Sequence, residues 1–282
     1  MKKQIELGTS KTPTWCPGCF NFQVLAGVKN AISSEIAGGK KEDWAIASGI
    51  GCHAKIFDYL NLNGINTLHG RVLPTCMGIK IGNPNLNVIG FSGDGDAYAE
   101  GIEHLIHAAR YNSDIKYIVH NNRIFALTVG QPTPTTEIGF RDKTNPSGVK
   151  LYPLNPIKLM LSLNCGFVAR VFADVNQIEE VLEEAFKHKG FAFIEVLQPC
   201  LIFHPDLKFK EKIYNLQEKG HNKTNWEEAM KKADEFDYNI IGEKTKIPLG
   251  IFYQKERETF ENLHPQLAEL KNKKIGWRDI KR

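Results

Sequence analysis

The chain has 282 residues, 42% hydrophobic and 24% charged, an ordinary balance for a soluble protein made of one large α/β domain with an extension or of two small domains. Its formal net charge of +4 is too weak to argue for nucleic acid or a membrane surface. No window approaches 18 uninterrupted apolar residues, and the N-terminal MKKQIELGTSKTPTW has two lysines with no apolar run behind them, so no membrane helix, no signal peptide and a cytoplasmic location are expected.

In chain order the first signal is TWCPGCFNF (14–22), two thiols on a tight Pro-Gly turn. In a reducing compartment such a Cys-x-x-Cys pair reads as a metal, cluster or redox site. WAIASGI (44–50) is a short apolar run ending in glycine, expected to be a buried parallel strand, and Cys52 follows it in SGIGCH. LNVIGFSG (86–93) is a second such strand. The spacing of Ile102, Leu105, Ile106 and Ala109 predicts an amphipathic helix over 97–110. IKYIVHNN (115–122) is a third strand, and a shorter one covers Cys165–Val171. A second helix is expected over 175–188, with Asp174 as its N-cap and Gln177 three residues on. FAFIEVLQP (191–199) is the last strand of the series, with Cys200 at its end.

Strands alternating with helices predict an α/β fold with a mostly parallel sheet covered on both faces, and ligands outside the carboxyl ends of its strands. After Pro205 the composition changes: 206–282 holds 17 basic and 14 acidic residues, and only IPLGIFY (247–253) stands out as apolar. The expected division is an α/β domain over 1–205 and a charged C-terminal arm over 206–282, packed on that domain or on a partner subunit.

The most specific signal is Gly93-Asp94-Gly95-Asp96, then 24 residues, then Asn121-Asn122. Each element ends a predicted buried strand. Glycine lets a backbone approach phosphate closely, and a helix start offers its N–H groups. Mg²⁺ takes octahedral oxygen ligands, few of them from protein. Asp94, the amide oxygen of Asn122 and the carbonyl of Ile124 would supply that protein share. Cys16, Cys19, Cys52 and Cys200 could converge near the same edge, as ligands of a 4Fe–4S cluster or of a structural zinc.

The Gly-Asp-Gly and Asn-Asn pairing resembles the thiamine-diphosphate signature. The stretches GIGCHAKIFDYL, LHGRVLPTCMGIKIGNP, VIGFSGDGDAYAEGIEHLIHAARYN and HNNRIFALTVGQPTPTT, with the tail segment IPLGIFYQKERETFE, look like the β subunits of 2-oxoacid:ferredoxin oxidoreductases, over most of 12–262. The resemblance implies that Gly93, Asp94, Gly95 and Asp96 hold the diphosphate, with Gly51 on the same edge. It implies that Asp94, Asn122 and Ile124 bind Mg²⁺, that Cys16, Cys19, Cys52 and Cys200 hold one 4Fe–4S cluster, and that Leu127 and Thr128 line the active site. His69-Gly70-Arg71 resembles a family motif beside the cofactor, where His69 would bond a substrate carbonyl and Arg71 a carboxylate or phosphate. Lys55 is a candidate partner for a substrate carboxylate, whereas Val129 stands where relatives selective for 2-oxoglutarate often carry a lysine. Further departures are Phe20 for a glycine, His53 for a small residue, Asn121 for an aspartate, Phe125-Ala126 for Tyr-Gly, and Cys76 for a small residue.

The implied reaction is the coenzyme A-dependent oxidative decarboxylation of a 2-oxoacid, 2-oxoglutarate being favoured over pyruvate or a broad range, with electrons passing through the cluster to ferredoxin. The glutamate that activates thiamine belongs to a separate domain, which the family carries on an α subunit, so this chain is expected to be half of an αβ unit, arranged as a dimer of such units. The rival readings are a cluster-free thiamine decarboxylase subunit and a zinc-binding subunit with no catalysis of its own.

Overall fold

A computed structural model of the chain describes residues 6–280 apart from 35, 206, 208, 240, 241 and 243. Its strands are β1 (Trp44–Ser48), β2 (Asn63–Asn66), β3 (Asn87–Gly93), β4 (Ile115–Asn121), β5 (Ile124–Phe125), β6 (Gln131–Pro132), β7 (Phe167–Phe172), β8 (Ala192–Leu197), β9 (Ile213–Asn215) and β10 (Ile247–Gln254). Eight of them form one sheet in the order β2-β1-β3-β4-β8-β7-β10-β9, and β5 pairs with β6 in a separate two-stranded ribbon. Every neighbouring pair in the large sheet is parallel except β7 with β10. This is the expected α/β fold.

The main helices are α1 (Asn21–Ser33), α2 (Val72–Gly82), α3 (Ile102–Tyr111), α4 (Pro156–Ser162), α5 (Val175–Lys187) and α6 (Trp226–Ala233). The central strands are almost wholly buried and mostly apolar because both sheet faces are covered, and a charged pair they carry, Arg170 on β7 and Glu195 on β8, is joined in the interior. Successive side chains still alternate between two cores. Ile89, Phe91, Ile118 and Ile194 join Val24 and Val28 of α1 and Ile178 and Leu182 of α5 on one face. Val88, Tyr117, Val119 and Phe193 join Val72 of α2, Leu105 of α3 and Ile157 of α4 on the other.

Two expectations are refined. The helix expected over 97–110 is divided: a π turn over Asp96–Glu100 precedes α3, with Gly101 between them. The Asp96 carboxylate at its start is tied back to Ser92 of β3 at 2.6 Å; such π turns recur at functional sites. Asp174 does cap α5, accepting from Asn176 N at 3.1 Å and Gln177 N at 3.2 Å. The Gln177 side chain, however, accepts from Phe172 N at 3.1 Å, so it secures the end of β7 and not the cap residue itself.

The charged C-terminal region supplies β9, β10 and α6. Ala229 and Phe252 join the core over α4, and Leu207, Phe209, Phe236, Tyr238, Ile247 and Leu249 close a third apolar cluster against Phe172 and Leu197.

Candidate active site

In an open parallel sheet a crevice forms where the chain leaves neighbouring strands in opposite directions. That point lies between β1 and β3: the chain runs from β1 outward to β2 and returns to β3 on the other side. The carboxyl ends of β1, β3, β4 and β8 lead into Gly49–Cys52, Gly93–Asp96, Asn121–Ile124 and Gln198–Cys200. These loops, with His69 and the segment 125–128, line a cleft.

Asp96 is the hub of its floor. The carboxylate is buried and accepts from Gly70 N at 2.7 Å, Ser92 Oγ at 2.6 Å and Ile50 N at 3.4 Å. Burial pushes its carboxyl up, and the Ser92 and Gly70 bonds pull it partly back. It packs so closely on β1 that a Cβ at Gly49 would stand 2.0 Å from Asp96 Oδ2. Gly95 is equally crowded, since a Cβ there would stand 2.2 Å from the Phe125 ring.

Asp94 is 2% exposed and accepts from Thr133 Oγ1 at 2.5 Å and Thr135 Oγ1 at 3.1 Å. Burial raises its carboxyl to about 7 against the pull of the two hydroxyls. Such a carboxylate, bonded to hydroxyls and not to a cation, suits a divalent ion that would hold it ionised. Asn122 borders the same cleft, and its amide oxygen accepts from Ile124 N at 3.0 Å across Arg123, which has a φ of +64°. His69 Nδ1 lies 3.2 Å from Asp96 Oδ1 and 3.1 Å from Glu100 Oε2. His53 is fully buried, 3.7 Å from Asp96 Oδ2, and burial holds its imidazole down at about 3.

A second cavity of about 260 Å³ adjoins the first. Cys16, Cys19, Cys52 and Cys200 all line it, with Lys55 and Val129. Cys19 N donates to Cys16 O at 3.0 Å to close the turn, Trp15 Nε1 donates to Cys52 O at 2.6 Å, and Phe203 N donates to Cys200 Sγ at 3.5 Å. Burial, then the neighbouring Cys19 thiol, pushes Cys52 up to about 11, with Lys55 pulling the other way. Among the described residues no three His, Cys, Asp or Glu side chains are gathered tightly enough for a single metal ion. The four thiols ring a cavity instead. Cys76 and Cys165 are fully buried in the core behind α2 and β7, and burial raises Cys165 to about 12. The two cavities share a wall made by Cys52, Asn122, Ala126, Leu127 and Gln198.

Of the residues singled out in the sequence, Gly51, His69, Gly93, Asp94, Gly95 and Asp96 meet at the first cleft. Asn122, Ile124, Leu127 and Thr128 close its other side. Lys55 lies in the second cavity, where it donates to the Thr14 carbonyl at 3.1 Å. Arg71 lines neither. It precedes α2 and turns to His104, with Nη1 3.0 Å from the imidazole. Sequence reasoning passed over Thr133 and Thr135, whose hydroxyl-rich PTPTT segment was the available signal, and gave no role to the buried His53, noted only as a departure from the family, or to His120, which lies inside the strand predicted over 115–122.

Residues 49–196 match the family described as thiamine pyrophosphate enzyme, C-terminal TPP binding domain, and residues 208–269 match the C-terminal family of the pyruvate ferredoxin oxidoreductase beta chain. The protein is 40% identical over 257 residues to 2-oxoacid:ferredoxin oxidoreductase subunit beta of Saccharolobus solfataricus, spanning 86% of this chain and 82% of that one. It is 38% identical over 221 residues to 2-oxoglutarate synthase subunit KorB of Archaeoglobus fulgidus, spanning 78% and 81%. Its fold is similar to that of a chain of 2-oxoglutarate:ferredoxin oxidoreductase from Magnetococcus marinus, solved with 2-oxoglutarate, coenzyme A and succinyl-CoA bound, with a TM-score of 0.85, 28% identity, and 99% and 94% of the two chains covered.

Proposed function

The chain belongs to the β subunits of the 2-oxoacid:ferredoxin oxidoreductases, and on that footing we propose that it holds thiamine diphosphate, Mg²⁺ and a 4Fe–4S cluster in a coenzyme A-dependent enzyme that decarboxylates 2-oxoglutarate and reduces ferredoxin. The observation that carries this reading is the common wall of the two cavities, because electron transfer needs donor and acceptor side by side.

The donor chemistry fits each group. Asp94 and Asn122 present hard oxygens to one cleft, and Ile124 adds its carbonyl to the proposed Mg²⁺ set. Glycines at 93 and 95 keep the turn beside them bare for a diphosphate. Four thiols spaced around a cavity suit a cubane, whose irons take one thiolate each, better than a single zinc ion. When bound, thiamine diphosphate supplies the nucleophilic carbon and electron sink for decarboxylation, and the cluster supplies a one-electron acceptor.

The chain's own residues then have these tasks. Asp94, Asn122 and Ile124 hold the ion, and Gly93–Asp96 receive the diphosphate. His69 Nδ1 faces the Asp96 and Glu100 carboxylates, which leaves the other ring nitrogen to bond a substrate oxygen. Leu127 and Thr128 exclude water above the cleft, and Gly51 lets the β1 loop approach. Lys55, on the adjoining wall, is held by a carbonyl that a substrate carboxylate could displace. Arg71 stands outside both cavities, against His104, and is given no part in the cleft. The α subunit supplies the remaining half of the site, in a dimer of αβ units. Names of the relatives support 2-oxoglutarate as substrate.

Anaerobically purified enzyme should contain roughly four iron and four acid-labile sulfide per chain. Cys52→Ala and Cys200→Ala should lose both, and Cys165→Ala should keep them. Stoichiometric zinc without sulfide would overturn the electron-transfer reading.

A further inference from the structure

Asn121 ends β4 beside the proposed metal ligand Asn122, yet it faces away from both cavities and is fully buried. Its Nδ2 donates to Glu195 Oε1 on β8 at 2.7 Å, and its Oδ1 accepts from Arg123 N and from Thr135 Oγ1, both at 3.0 Å. The same Thr135 hydroxyl lies 3.1 Å from Asp94 Oδ2. Its single hydrogen is therefore shared between the back of the loop and the metal-facing carboxylate.

Glu195 decides which way this amide points. An ionised carboxylate only accepts, so the NH₂ of Asn121 must face it and the oxygen must face Arg123 and Thr135. Were the amide turned over, its NH₂ would meet the N–H of Arg123, and the left-handed turn at Arg123 would lose a partner. That turn needs support, because a φ of +64° is uncommon outside glycine.

Tyr238, from the charged C-terminal region, ties the arrangement together at two points. Its hydroxyl donates to Glu195 Oε2 and accepts from Arg170 Nη2 at 2.6 Å, while Arg170 Nε bonds Glu195 Oε2 at 2.9 Å. Its carbonyl accepts from Arg123 Nη2, and the Arg123 guanidinium also bonds the Thr135 carbonyl at 2.7 Å. Asn121, Arg123, Arg170, Glu195 and Tyr238 are all 0% exposed, so water cannot substitute for a missing partner.

We propose that Glu195 and Tyr238 are positioning residues of the metal–diphosphate site, orienting Asn121 and the Arg123 turn so that Asn122, Ile124 and Asp94 are presented to the ion. The C-terminal region is thereby part of the cofactor site, although it contributes no ligand. This rests on the reading of Asp94, Asn122 and Ile124 as the Mg²⁺ set.

The test measures half-saturating Mg²⁺ for thiamine diphosphate binding by calorimetry, with kcat and Tm, in the assembled complex. Tyr238→Phe keeps the ring and removes one hydroxyl. It should raise half-saturating Mg²⁺ about tenfold, and excess Mg²⁺ should restore kcat while iron content stays normal. Glu195→Gln keeps the size and frees the amide to turn, and should shift Mg²⁺ the same way, which supplies the reading if Tyr238→Phe does not assemble. Phe209→Leu, in the same apolar cluster but outside the network, should lower Tm and leave Mg²⁺ affinity alone. Unchanged Mg²⁺ affinity in Tyr238→Phe and Glu195→Gln, or an equal shift in Phe209→Leu, overturns the inference. Asp94→Ala separates the two levels: if it abolishes Mg²⁺-dependent binding while the network variants bind normally, only the positioning role fails; if it too binds normally, the metal reading fails first.

Discussion

At the residue scale, the site sets two carboxylates two residues apart to different work. Asp96 is consumed by backbone and hydroxyl donors and shapes the floor, whereas Asp94 is buried against two threonine hydroxyls and raised to about 7. Asp94→Ala should therefore abolish Mg²⁺-dependent thiamine diphosphate binding while the far-ultraviolet circular dichroism stays native; unchanged cofactor affinity would show that the ion sits elsewhere. Lys55 makes a second residue-level prediction. A charged hydrogen bond to a distal carboxylate is worth about 1.5–3 kcal/mol, enough for roughly tenfold or more in kcat/KM. In the complex, Lys55→Met should lower kcat/KM for 2-oxoglutarate by about that factor and spare pyruvate and 2-oxoisovalerate. Equal losses on all three would return Lys55 to a structural or cluster-side role.

At the scale of elements, the turn from β3 into the π turn and α3 is built for close approach. A methyl at Gly95 would drive into the Phe125 ring and displace the β5–β6 ribbon, whose Ile124 belongs to the proposed ion set. Gly95→Ala should weaken cofactor binding by about an order of magnitude or more, because clearing so short a contact takes a displacement on the order of 1 Å at a preorganised site. Thermal melting should change little, since β3 and α3 lie outside the clash. Binding at the native affinity would mean that the ribbon yields freely. The sheet itself explains why four loops meet here: β1, β3, β4 and β8 are parallel neighbours in space, so their carboxyl ends share one edge.

Across the whole molecule, several imidazoles are carried into the folded interior uncharged. His188 is the cleanest to test because it lies outside both cavities, 1% exposed, with neither ring nitrogen hydrogen-bonded. Burial, then the Lys116 cation, lowers it from an ordinary 6.5 to about 4. The unfolded chain thus binds one more proton between these values, and stability is lost as pH falls through that window, by roughly 3 kcal/mol in all at 1.36 kcal/mol per unit. His188→Leu should leave the melting temperature at pH 7 unchanged or higher and flatten its fall between pH 6.5 and 4. An unaltered slope would assign the acid sensitivity to other groups. Among the described residues no helix is long and apolar enough to cross a membrane.

What the sequence determined by itself is local and periodic. Predominantly apolar runs identify β1, β3, β4 and β8, because helices on both faces favour apolar side chains there, and helical spacing with Asp174 identifies α5. Strand ends are legible too, which is why the Gly-Asp-Gly turn, Asn-Asn, Cys52 and Cys200 could be expected on one edge. Only the tertiary structure decided matters of distance in space. It turned Arg71 outward to His104, set Lys55 among the cysteines, and brought Thr133 and Thr135 onto Asp94 across some forty residues of chain. It also ran β10 antiparallel beside β7 and sank Tyr238 beneath the turn at Arg123. A run of charged residues reveals its solvent face but not the few apolar side chains that fold back, because their partners lie on strands distant in sequence and burial is a property of the packed whole.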